Sequence, residues 1–205
     1  VARKLPSVIR SLIYRATGRK DDLKKNKIVI YSESKSYWST WRPVLMALVK
    51  RGVPVTYLTS AENDPVFDVD DVKFKSLVTA RFIGTGNTAY TALGFLEADI
   101  FVLTTPGIDV LQIRRSPGVK KYEHVVHALG DVHTYKLFSF DYYDAVFCSG
   151  EGQVRSLRAL EAIRHTAAKF LPLVGCPYLD GLVARAKQLT TGPEANTVIV
   201  APTWG

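Results

Sequence analysis

At 205 residues, 47% apolar and 22% charged, the chain is long enough to bury one good-sized core, and its composition excludes a disordered or fibrous polypeptide. It holds no run of about 18 apolar residues that could cross a membrane as a helix, and no apolar block follows the first charges, so no signal-peptide pattern is visible. The net charge of +8 is unevenly placed: residues 1–27 hold nine Lys and Arg against Asp21 and Asp22, and the remaining 178 residues hold 18 bases against 17 acids. The basicity is therefore an N-terminal attachment on a nearly neutral body.

That attachment has a helical pattern. Leu5, Val8, Ile9, Leu12, Ile13 and Ala16 recur at three- and four-residue spacing, with Arg3, Lys4, Arg10 and Arg15 off the stripe. A short basic amphipathic helix suits an anionic membrane surface; a helix packed on its own domain with a solvated basic face fits the pattern equally. Aromatics are not interleaved with the basic cluster, which argues against a nucleic-acid stacking platform.

After Lys27 the body begins. IVIY (28–31) predicts a buried parallel strand. The loop Ser32–Ser36 follows, then a helix from Trp38 to Lys50 stopped by Gly52. Val53–Leu58 reads as the next strand, residues 61–71 as an acidic loop, and Val72–Phe74 as a short strand. A helix opens near Asn87 or Thr88, either serving as cap, and runs to Phe95. Asp99–Thr104 is another buried strand, ending at Thr105-Pro106-Gly107. His124–Leu129 and Ala145–Ser149 are the fifth and sixth strands, followed by a helix over Gln153–His165. Lys169–Val174 reads as a strand, Gly175-Cys176-Pro177 as a turn, and Leu179–Leu189 as a helix. Residues 190–196 are a polar linker before a last strand, Thr197–Ala201.

Strands alternating with helices predict an α/β fold, a doubly wound and mostly parallel Rossmann-like sheet. The expected organisation is a basic segment over residues 1–26, the Rossmann-like domain over 27–190, and a linker with the first strand of a further domain over 191–205. There is no GxGxxG and no GxxxxGK[ST]; Gly84-Thr85-Gly86 lacks the third glycine. No cofactor and no metal is expected, because Cys148, Cys176 and the histidines fit no compact zinc spacing. Both cysteines fall in apolar surroundings and read as buried thiols.

The chemistry concentrates between Tyr122 and Gly152, where three of the four histidines lie. In an open α/β sheet ligands sit at the C-terminal ends of strands. His127 falls where the HVVHAL strand runs out, and imidazole can take a proton near neutral pH. Asp131 or Glu123 is the candidate to orient its ring. His133 is a candidate for substrate contact. His124 is expected on the opposite side of the pleat, and His165 at a helix end. Glu33, Ser34 and Ser36 follow the first strand, and Thr104, Thr105 and Gly107 follow the DIFVL strand. These loops should share a cleft edge with His127 and hydrogen-bond a substrate, with ordinary turn roles as the alternative. Asp141, as a cap, and Asp144, at the start of a strand, are expected to be structural, and Phe138, Phe140, Tyr142 and Tyr143 to be core.

Three segments together resemble the CDP-glycerol glycerophosphotransferases, the teichoic-acid-type transferases. They are His127 with Phe140-Asp141-Tyr142-Tyr143-Asp144 and Phe147-Cys148-Ser149-Gly150; Val174-Gly175-Cys176-Pro177-Tyr178-Leu179-Asp180; and Val198-Ile199-Val200-Ala201-Pro202-Thr203-Trp204. The resemblance spans roughly residues 99–205. It departs at His127-Ala128-Leu129-Gly130-Asp131, where the family often carries Trp-His-Gly. The resemblance implies the N-terminal, acceptor-side half of a GT-B-like enzyme with His127 as catalytic base. It implies a CDP-linked donor held mainly by a second domain, a glycan or lipid-linked acceptor, and a peripheral location at the cytoplasmic membrane face, reached through residues 1–27. A nucleotide-sugar-dependent glycosyltransferase or epimerase of the same fold, and a non-catalytic membrane-surface module, are the alternative readings.

Overall fold

The computed structural model describes residues 27–188. The basic helix expected within residues 1–26 and the strand expected at Thr197–Ala201 lie outside the described residues. Six strands form one sheet: β1 Ile28–Ser32, β2 Val55–Thr59, β3 Val78–Phe82, β4 Glu97–Leu103, β5 Gly118–Val125 and β6 Ala145–Phe147. Their order is β3-β2-β1-β4-β5-β6, and every neighbouring pair is parallel. Five described helices accompany them: α1 Trp38–Lys50, α2 Val72–Leu77, α3 Asn87–Leu93, α4 Glu151–Arg164 and α5 Pro177–Gln188.

Both faces of the sheet are covered, which is why the central strands read as continuous apolar runs. Alternate side chains enter separate cores. Val29, Tyr31, Phe101, Leu103 and Tyr122 pack with Ala89 and Leu93 of α3 and Leu157 of α4. Ile30, Val55, Tyr57, Val102 and Val125 pack with Trp41, Leu45 and Val49 of α1 and Phe74 of α2. The doubly wound α/β reading of the sequence is correct. α5 lies against α1 and buries no residue fully.

Several elements differ from the sequence reading. Val72–Phe74 opens a helix rather than a strand, because the Asp71 carboxylate accepts from the Phe74 N–H at 2.6 Å and caps it. The strand is β3, immediately after. α3 has Gly86 as its N-cap, with no side-chain cap from Asn87 or Thr88. β5 begins six residues earlier than expected and ends at Val125, leaving Val126–Leu129 outside it. Residues 169–174 run parallel beside β6 but make only isolated bridges, Ala145 with Phe170 and Cys148 with Leu173. Phe170 and Val174 donate to the Asp144 and Cys148 carbonyls at 3.0 and 2.9 Å. Pro172, between them, has no N–H and interrupts the ladder.

The order 3-2-1-4-5-6 places the reversal of winding between β1 and β4. In an all-parallel sheet the loops after β1, β4, β5 and β6 emerge at one edge, and that reversal opens a crevice there.

Candidate functional site

The crevice is closed by a contact that sequence alone does not show. Glu33, directly after β1, accepts from the Thr105 hydroxyl, after β4, at 3.1 Å. Its other carboxylate oxygen accepts from Tyr90 of α3 at 3.4 Å. Two of the predicted site residues thus meet across the switch point, joined by a tyrosine the sequence reading missed. Tyr31, Tyr37 and Tyr90 all have phenols raised in pKa, first by burial and then by the Glu33 charge, Tyr31 to about 12. Those phenols stay protonated donors at neutral pH.

Ser34 is a turn residue. Its hydroxyl accepts from the Ser36 N–H at 3.3 Å and caps the 3-10 turn Lys35–Tyr37. That turn delivers Tyr37, whose ring meets His127 edge-on with centroids 4.8 Å apart. Gly107 is also spent structurally. Its φ of 77° is left-handed, its N–H donates to the Ser139 carbonyl at 2.8 Å, and a Cβ there would lie 2.8 Å from Leu111 Cδ1.

His127 sits two residues past the end of β5, half-buried. Burial lowers its pKa, so the ring is neutral at pH 7 and can accept a proton. Its Nδ1 is buried with no hydrogen-bond partner, which leaves Nε2 as the nitrogen open to a ligand. Among the described residues no carboxylate orients it. Asp131 instead lies beside His133, Oδ1 to Nδ1 3.2 Å, so the expectation that Asp131 or Glu123 fixes the His127 ring is corrected. Glu123 lies within β5, half-buried, with Asp144 and Lys121 as its charged neighbours. His133 is 75% exposed, in the 3-10 turn Val132–Thr134.

Gln153, in the first turn of α4, positions the loop instead. Its Nε2 donates to the Ala128 and Gly130 carbonyls at 3.3 and 2.9 Å, and its Oε1 accepts from the Ser149 N–H at 2.8 Å. One buried amide therefore ties the segment after His127 to the end of β6. The only sequence signal was a polar residue where a helix meets Gly150-Glu151-Gly152.

His124 is fully buried among the rings of Tyr135, Phe140 and Tyr143, in the core opposite that of Tyr37, as its place in the pleat predicts. Burial, reinforced by His127, pushes its pKa down to about 3. The Thr105 carbonyl acts on the ring but already receives the Tyr143 hydroxyl, and neither ring nitrogen makes a well-formed hydrogen bond. Thr104 Oγ1, at the end of β4, is likewise buried and unpartnered.

The remaining candidates are structural. Asp144 accepts from the Tyr122 N–H at 2.9 Å and pairs with Lys121 at 3.0 Å, locking β6 to β5. Asp141 makes an ion pair with Arg164 at 2.8 Å rather than a cap. Phe140 and Tyr143 are core, whereas Phe138 and Tyr142 are exposed. His165 closes α4 in the left-handed conformation. Cys148 and Cys176 are buried free thiols, and burial raises Cys148 to about 11. Among the described residues no three His, Cys, Asp or Glu side chains gather as a metal site. None of the described helices is long and apolar enough to cross a membrane.

Compared with family models, curated proteins and solved structures, the chain matches none.

Proposed function

We propose that this chain is the acceptor-side domain of a transferase resembling the CDP-glycerol glycerophosphotransferases, with His127 as the general base. One observation supports the reading most. At the C-terminal edge of the sheet, the neutral His127 imidazole meets the Tyr37 ring, which in turn feels the charge of Glu33, a carboxylate already held by Tyr90 and Thr105. One tyrosine thus links a proton acceptor after β5 to a hydroxyl-binding carboxylate after β1, at the sheet edge where α/β folds take their ligands.

In the reaction, Glu33 accepts a hydrogen bond from the acceptor, and His127 Nε2 takes the proton of the attacking hydroxyl. The hydroxyl oxygen forms a bond to the glycerol-bearing phosphorus of the donor. The bond from that phosphorus to the bridging oxygen breaks, and CMP leaves with that oxygen. A positioned base typically contributes about 10²–10⁴-fold to such a step. The donor is assigned to the second domain that the resemblance implies, and the basic stripe within residues 1–27 to the membrane surface carrying a lipid-linked acceptor.

Donor competition tests the class. With the native protein, CMP release from CDP-glycerol that UDP-sugars do not inhibit supports the glycerophosphotransferase reading. Turnover of UDP-sugars in its place moves the chain to the nucleotide-sugar enzymes.

A further inference from the structure

A second recess lies outside the His127 centre. It is an open groove of about 490 Å³ between α3, with Phe95 just beyond it, and the loop joining β4 to β5. Asn87, Tyr90 and Phe95 form one wall, and Leu111, Gln112 and Arg114 the other. We propose that this groove binds an anionic sugar or polyol, its phosphate or carboxylate held by Arg114.

The loop wall is built to a fixed shape. Asp109 takes a left-handed φ of 57°, a conformation that a non-glycine residue keeps only where its surroundings impose it. The surroundings here do impose it. The Asp109 N–H donates to the Ile113 carbonyl at 2.8 Å, and its Oδ1 accepts from the Arg115 N–H at 2.9 Å. Ile108 and Ile113 are buried on either side. The loop therefore presents Leu111, Gln112 and Arg114 from a rigid frame.

The charge of the groove has one sign. No carboxylate lines it. Arg114 is exposed, spends one N–H on the Asp109 carbonyl at 3.2 Å, and has no ion-pair partner among the described residues. A guanidinium has five donors in a planar fork that matches phosphate or carboxylate two bonds at a time. Asn87 and Gln112 supply amides for hydroxyls, while Phe95 and Leu111 supply an apolar wall for the C–H face of a sugar. Tyr90 belongs to this wall and also donates to Glu33, so the groove shares one residue with the crevice. Its role rests on the transferase reading: it holds the acceptor unit next to the one that reacts.

The test is binding of glucose 6-phosphate, glucuronate, glucose and inorganic phosphate to the full chain, followed by the side-chain resonances of Arg114, Asn87 and Gln112. Both anionic sugars are expected to shift these resonances and to bind more tightly than glucose or phosphate alone. Arg114→Ala is expected to weaken them roughly tenfold or more, the scale of a charge-assisted pair. Arg114→Lys should recover only part, since an ammonium is a point charge. His127→Ala should leave this binding intact. Unchanged affinity in Arg114→Ala overturns the proposal, and so does binding of inorganic phosphate as tightly as the sugar phosphate. Because the readout is binding, the groove can fail while His127 proves catalytic, and the reverse.

Discussion

His127 and His124 stand three residues apart, and both are held neutral by burial. Their consequences differ because His124 is sealed in the core while His127 is only half-buried. A lowered His127 pKa means that the base stays unprotonated below the ~6.5 of free imidazole. Turnover is expected to fall as pH drops, with an apparent pKa below 6.5; a pH–rate profile on kcat reads this directly. A midpoint above 6.5 would contradict the burial argument. His124 instead governs stability. Between pH 6.5 and about 3 the unfolded chain binds a proton that the native ring excludes. Its contribution is therefore complete above pH 6.5 and declines as pH falls, by at most ~1.4 kcal/mol per pH unit. Urea denaturation between pH 7 and 4 should show that slope, and His124→Leu should flatten it. His127 was legible from its place at a strand end. That no described carboxylate orients it was not, because Asp131 lies instead beside His133, an approach set by a 3-10 turn without a sequence signature.

At the scale of elements, the long apolar runs were legible and the polar ones were not. α1 starts and ends where the sequence placed it, since its stripe of Trp41, Leu45 and Val49 has a helical period. The first half of β5 was missed because Lys120 and Lys121 look like loop. These lysines are tolerated because β5 pairs with β6 only from Glu123 onward, and Asp99 and Asp144 neutralise them at 2.6 and 3.0 Å. The start of the segment beside β6 is also anchored by Glu161. Its carboxylate accepts from the Lys169 N–H at 2.8 Å and from Arg158 at 2.6 Å. Glu161→Gln should destabilise the fold by about 2 kcal/mol, less than a wholly buried pair, because the Arg158 side chain is 46% exposed. Thermal unfolding checks it, and a loss within error would remove Glu161 as the anchor. Gln153→Ala should cost about 1–3 kcal/mol, since it strips partners from three backbone groups. It should also speed hydrogen exchange of the Ala128–Gly130 amides; exchange equal to that of the unaltered protein would show that the loop holds without it.

Over the whole molecule, the alternation of strands and helices led to the right sheet, and the sheet in turn determines where chemistry can occur. The winding reverses between β1 and β4, and the residues that meet there, Glu33 and Thr105, are 72 positions apart, beyond any local pattern. The charge is organised at this scale too, with a nearly neutral body and a basic leading segment. Under the proposed function that segment makes the membrane contact. Removing residues 1–27 should abolish cosedimentation with anionic vesicles, and binding by the intact protein should weaken steeply with salt; binding indifferent to the truncation would move the contact elsewhere. The central claim is that His127 removes the proton of the attacking hydroxyl. Its most direct test is the turnover number for CDP-glycerol in the native protein carrying His127→Ala. The account predicts a kcat lower by roughly 10²–10⁴ with KM little changed, while turnover equal to the unaltered protein would contradict it.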